Sequence, residues 1–447
     1  MKNFKNYIYI LVAAIFVTAC KPTINSNPAP SAGPLDLTRY ISVGNSLTAG
    51  YADGGLYLNG QLNSYPSIIA KQMATINTSL TFNQPLFSTS QANGSGYLKL
   101  TGFDASGNPV TSQVTTNLAY TGQTVTIPGY PTVSLMAKYI GSIDNYGVPG
   151  IKLLYLTTAS YSNLNPYFDR MLTTTSPANN TTYLSLITSK SFTFFTNWLG
   201  NNDALGYATG GGGGYTGADA LTDPTTFAQL YTVLINSLTA GGAKGAVATI
   251  PDVTTIPYFT TVTVPLVLGT VQKANPSVQA LYINAADATG TNYAPRAATA
   301  NDLIVLTFPT SLIGSTTAGA NNGYPYGLHP LNPIETKYVL DANEQTLVKN
   351  AVNSYNTTIK SVAASKGLAV FDAFTFLTNV KAGGYKIDGL SLTSDYIKGG
   401  IFSLDGVHLT PRGYSIVANQ FIMAINSTYG SSIPLANVSA YNGVIFP

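Results

Sequence analysis

Between residues 37 and 425 the chain repeats one pattern, a short apolar run closed by a polar residue or glycine, followed by a longer stretch with helical spacing. Residues 40–43, 192–199, 245–250, 302–308 and 368–372 are the strand-like runs. Residues 64–76 and 411–425 have helical spacing. Asp223-Pro224 supplies an N-cap and a first-turn proline for a helix whose apolar positions are Phe227, Leu230, Leu234 and Leu238. Asp341 and Glu344 have capping-box spacing ahead of a face built from Leu347, Val348, Ala351, Val352, Tyr355, Ile359 and Val362. Strands alternating with helices over this length predict an α/β domain around a mainly parallel sheet. Periodicity does not give the strand order.

Two stretches break the rhythm. Residues 83–134 are rich in Thr, Gly and Tyr and alternate in polarity, with a turn signal at Ser106-Gly107-Asn108-Pro109. A β-rich insertion of one or two hairpins is expected there. Residues 210–214 are five consecutive glycines with no Lys-Ser/Thr after them, which predicts a mobile loop rather than a phosphate cradle.

Composition narrows the function. Only 9% of residues are charged, while 45% are apolar, so the chain folds behind a polar but nearly uncharged surface with 30 Tyr in all. The net charge is +3, and Lys2 and Lys5 account for two of those charges. Nucleic acid is excluded as a partner, because it needs a concentrated basic footprint. One cysteine and two histidines exclude zinc ribbons, disulfide frameworks and His-rich metal sites. Neither a metal nor an organic cofactor is expected.

The single cysteine has a telling place. Lys2 and Lys5 precede an apolar run over residues 7–17, too short to span a bilayer, and Val17-Thr18-Ala19-Cys20 follows. This resembles the lipobox of bacterial lipoproteins, in which the cysteine is acylated and becomes the mature N-terminus. The expected organisation is a signal peptide over 1–19, a flexible Pro/Ser/Asn-rich tether over 20–36 behind a lipidated Cys20, and a folded domain over 37–447. A membrane is then a partner through the lipid. The expected location is the cell envelope, on the outer membrane, with the domain in the periplasm or outside the cell. Nothing in the sequence selects an oligomeric state.

Ser46 follows the first strand directly, in Gly44-Asn45-Ser46-Leu47-Thr48, where open α/β sheets place their ligands. A serine nucleophile needs a base, and only His329 and His408 are available. His408 ends Asp405-Gly406-Val407-His408, where a carboxylate three residues away can hold one imidazole nitrogen and leave the other to face a serine. His329 has no acidic neighbour and reads as an ordinary loop histidine. Gly200-Asn201-Asn202-Asp203 follows a strand-like run and can present an asparagine N–H to a developing oxyanion. Asn145-Tyr146-Gly147-Val148-Pro149-Gly150 ends in a glycine whose N–H can approach a ligand closely.

These four segments, in this order, resemble the blocks of the SGNH (GDSL-type) hydrolase superfamily across residues 37–425. The resemblance implies a flavodoxin-like three-layer α/β/α sandwich. It implies Ser46 as nucleophile, His408 as base and Asp405 as its orienting carboxylate. It also implies an oxyanion hole made of the Ser46 and Gly150 N–H groups and the Asn202 side chain. Asn45 stands where most members have aspartate, and the gap from Ser46 to Gly150 is longer than in compact members.

A serine esterase acting through an acyl-enzyme on small-molecule or glycan esters is the expected function, with lipid esters as a further substrate class. Its activity should rise with pH as the imidazole loses its proton. The competing expectation is an envelope binding lipoprotein that keeps the fold without catalysis. Hydrolysis that disappears with Ser46 separates the two.

Overall fold

Five parallel strands form the centre of the domain: β1 (Tyr40–Gly44), β2 (Asn145–Gly147), β3 (Phe194–Trp198), β4 (Lys244–Ala248) and β5 (Ala369–Phe371). The computed structural model describes residues 29–105, 107–213 and 219–447. The expected signal peptide, Cys20, the first part of the tether and Gly214 lie outside the described residues.

The strands lie in the order β5-β4-β3-β1-β2. This doubly wound, flavodoxin-like order has its switch point beside β1. In register, Gly44 lies opposite Gly147 on one side and Trp198 on the other. All residues of β1, β2 and β3 are buried, as in a sheet covered on both faces.

Successive strand residues point to opposite faces, so Asn197 and Trp198 identify the two helical layers. Trp198 meets the rings of Tyr65 and Phe421 edge-on, and those two stack at 5.0 Å. They belong to helices over Tyr65–Ala74 and Pro411–Tyr429. Asn197 donates to the Tyr231 hydroxyl at 3.3 Å on the other face. There the Phe227 and Tyr355 rings stack at 4.1 Å, joining helices over Pro224–Thr239 and Ala342–Ser365. Asp223 caps the first of these, and Asp341 with Glu344 closes a full capping box on the second.

Residues 302–308 depart from the expected strand. Only Leu303–Ile304 pairs, antiparallel to Val339–Leu340 and outside the central sheet. The Asp302 carboxylate is taken by Arg296 and the Thr299 N–H, so the chain turns there instead of entering the sheet. The Thr/Gly/Tyr-rich stretch contains two hairpins, Tyr97–Phe103 with Pro109–Val114 and Tyr120–Val125 with Val133–Met136. No helix among the described residues is long and apolar enough to cross a membrane.

Candidate active site

At its C-terminal end β1 runs into a tight turn. A Cβ on Gly44 would overlap the Thr48 hydroxyl, so only glycine lets the chain fold back here. Asn45 then caps the short helix α1 (Ser46–Ala49), its Oδ1 accepting the Leu47 N–H at 3.1 Å. Ser46 is the first residue of α1, so its N–H has no intrahelical acceptor. The amide nitrogen of Asn45 is buried without a hydrogen-bond partner among the described residues, as is Asn201 Oδ1 nearby in the same pocket lining.

His408 arrives on the turn that precedes the helix over Pro411–Tyr429. Its Nε2 lies 2.8 Å from Ser46 Oγ, 362 residues away in sequence. Its Nδ1 lies 2.9 Å from Asp405 Oδ2. A carboxylate at Nδ1 makes that nitrogen the donor and leaves Nε2 to accept the serine proton. The Val407 and His408 backbone N–H groups donate to Asp405 Oδ1 at 2.9 and 2.8 Å. Ser403 Oγ adds a bond to the same oxygen, and the Gly54 N–H donates to Oδ2 at 2.8 Å. Burial alone would raise the Asp405 pKa, but the adjacent His408 and these donors hold the carboxyl well below the usual carboxylate range.

The other predicted residues gather at the same sheet edge. Gly150 ends the loop after β2 with φ +81°, a conformation that favours glycine, and its N–H has no acceptor among the described residues. Asn202 opens the helix that follows β3 and lines one pocket with Ser46 and His408. One Asn202 Nδ2 hydrogen goes to the Ile151 carbonyl at 2.9 Å, and the amide has a second hydrogen to give. The pocket is a cavity of about 40 Å³, walled by Leu47, Leu205, Pro251, Val253, Ile256 and Val407.

Several residues that hold this edge together have no role that the sequence assigns them. Asp203 is fully buried and accepts the Leu153 and Leu154 N–H groups and the Thr222 hydroxyl, which ties the loop after Gly150 to the helix bearing Asn202. Burial pushes its carboxyl up to about 6, against these donors. The Tyr51 ring packs on His408 with centroids 4.6 Å apart. Asp53 and Gly54 reach the Asp405 turn from beyond α1. The Asp-Gly-Gly run at 53–55 announces a turn, but not its partner.

His329 stays within its own loop, stacked on Tyr324 and accepting the Leu331 N–H. The glycine run corrects an expectation. Gly211, Gly212 and Gly213 pack against Thr336, Lys337 and Glu344, where a Cβ would overlap those groups. These glycines serve close packing rather than a mobile loop. Among the described residues no group of three or more His, Cys, Asp or Glu side chains is placed to hold a metal ion.

No curated protein matches the chain. The family model for the GDSL-like lipase/acylhydrolases, however, matches residues 40–421, from the first residue of the sheet into the last helix, so the chain belongs to that family and is a hydrolase acting on esters.

Proposed function

We propose that the protein is an envelope-anchored serine esterase that cleaves short-chain acyl esters through an acyl-enzyme at Ser46. The observation that carries this reading is the hydrogen-bonded line from Ser46 Oγ through His408 to Asp405, beside a small apolar cavity. Ser46 Oγ attacks the ester carbonyl carbon while His408 Nε2 takes its proton. The carbonyl oxygen becomes an oxyanion, received by the Ser46 and Gly150 N–H groups and the second Asn202 hydrogen. The bond to the alcohol breaks as His408 returns the proton to the leaving oxygen. A water then attacks the acyl-serine with His408 again as base, releasing the acid and restoring the Ser46 hydroxyl. Asp405, ionised at neutral pH, keeps the imidazole in the tautomer this needs and stabilises its charged form.

The acyl group is placed in the cavity beside Leu205 and Ile256, whose small volume suits a short chain. The alcohol is carried from the aqueous side. Ala29 and Ser31 bond to Ser432 just past the C-terminal end of the helix over Pro411–Tyr429, whose N-terminal end follows His408. That helix has 19 residues, so the tether joins the domain roughly 28 Å from the site. With a lipid on Cys20, the tether would enter the domain at the end opposite the site, which favours soluble or glycan-borne esters.

The test is hydrolysis of p-nitrophenyl acetate by the wild type and Ser46→Ala, expected to disappear in the variant. Equal rates would sink the esterase reading in favour of a binding protein. Cys20→Ala should move the protein from the membrane to the soluble fraction.

A further inference from the structure

We propose that Asp53 is a positioning residue that sets the distance between the Ser46 segment and the Asp405–His408 turn, and that the Tyr97–Val114 hairpin braces it. The inference rests on the esterase reading of Ser46, His408 and Asp405.

Most donors to the Asp405 carboxylate come from its own turn: Ser403, Val407 and His408. The Gly54 N–H comes from 351 residues away. Gly54 and Asp53 belong to the same stretch of chain as Ser46, a few residues beyond α1. A bond from this stretch to Asp405 therefore measures the nucleophile against the base.

Asp53 is built to hold that bond. Its backbone sits at φ +54°, a left-handed conformation that aspartate and asparagine tolerate better than other side chains. Its Oδ1 accepts the Leu404 N–H at 2.9 Å, and its own N–H donates to Ser403 Oγ at 2.9 Å. That serine hydroxyl in turn donates to Asp405 Oδ1. Asp53 thus grips both residues that precede Asp405.

The inserted hairpin closes the arrangement from outside. The Leu98 N–H donates to the Asp53 carbonyl at 2.7 Å. Tyr57 donates its hydroxyl to Asp53 Oδ2 at 2.7 Å, and its ring stacks on Tyr97 of the hairpin at 4.1 Å. Gly55 lies so close to the Gly96 carbonyl that a Cβ would overlap it. The β-rich insertion is packed against the support of the base.

Hydrolysis sensitive to small misplacement of the base should report this directly. Asp53→Ala should lower kcat by about 10- to 100-fold, with KM for p-nitrophenyl acetate within about twofold of wild type. Asp53→Asn keeps an acceptor for Leu404 and tolerates the same backbone, so it should recover most of the rate. Tyr97→Ala should lower kcat in the same sense but less. The downfield proton resonance of the His408–Asp405 bond, assigned with His329→Gln, should broaden or move in Asp53→Ala and persist in Ser46→Ala.

An Asp53→Ala protein that melts like wild type and keeps both its kcat and that resonance overturns the proposal. So does a loss confined to KM. If Asp53→Ala fails to fold, Tyr57→Phe and Tyr97→Ala decide, and unchanged kcat in both overturns it. Full activity in Ser46→Ala would instead defeat the esterase reading, and the resonance alone would then judge the brace.

Discussion

The Tyr183 hydroxyl accepts the Gly44 N–H at 3.0 Å and lies 2.5 Å from the Tyr146 carbonyl, to which it donates. One fully buried side chain thereby joins the ends of β1 and β2 directly beneath the turn that carries Ser46. Tyr183→Phe would leave a buried N–H and a buried carbonyl short of a partner. A loss of about 1–3 kcal/mol of stability is expected, read from the denaturant midpoint, with a fall in kcat because the same bonds hold the nucleophile turn. An unchanged midpoint would show that neighbouring groups take over both bonds.

In the proposed mechanism the second amide hydrogen of Asn202 receives the developing oxyanion. Removing one such donor costs about 10²–10³ in kcat in comparable sites. Asn202→Ala should therefore lower kcat by that order with a small change in KM for p-nitrophenyl acetate. A change in KM alone would mean that Asn202 binds the substrate without favouring its transition state.

If the cavity seats the acyl group as proposed, its wall limits the length of the chain. Ile256 is buried at one side of it. In the wild type, acetyl and other short esters should be cleaved faster than octanoyl esters. Each methylene accepted by an apolar pocket is worth about 1–3 kcal/mol, so Ile256→Ala should shift the preference toward longer chains. A p-nitrophenyl ester series measures this, and a flat wild-type profile would count against the cavity as the acyl seat.

Glu344 makes stability depend on pH. Burial, with the neighbouring Asp341 charge adding to it, pushes its carboxyl up to about 8 from an ordinary 4.5. A carboxyl whose folded pKa is raised contributes stability that is fully present below the unfolded value and is lost as pH rises through the folded one. Stability from this group should fall between about pH 4.5 and 8. Glu344→Gln keeps capping-box chemistry without the titration. Thermal melts should show the variant gaining on wild type at pH 8.5 relative to pH 5, and parallel curves would place the charge elsewhere.

Much of the site was legible because its chemistry is rare in this chain. With two histidines available and one of them three residues from an aspartate, His408 and Asp405 stood out, and the geometry brings both to Ser46. Helix starts at Asp223 and Asp341 were legible because capping is local: the donor and acceptor lie within one turn. The strand-like run at 302–308 misled because hydropathy reports burial and not the partner. That segment is partly buried beside Tyr258 and Tyr338, outside the sheet.

What the sequence determined by itself was the α/β class, the helix starts at Asp223 and Asp341 and the residues able to act as nucleophile and base, since each follows from periodicity, capping or side-chain chemistry within a short window. The choice of oxyanion donors came from the resemblance to the SGNH blocks. Only the tertiary structure decided that Asp53 grips the Asp405 turn, that Asp203 ties the loop after Gly150 to Asn202, and that Gly212 packs on Glu344. These are contacts between segments tens to hundreds of residues apart. They depend on which hydrogen-bonding groups the fold leaves buried side by side, and no local pattern records that.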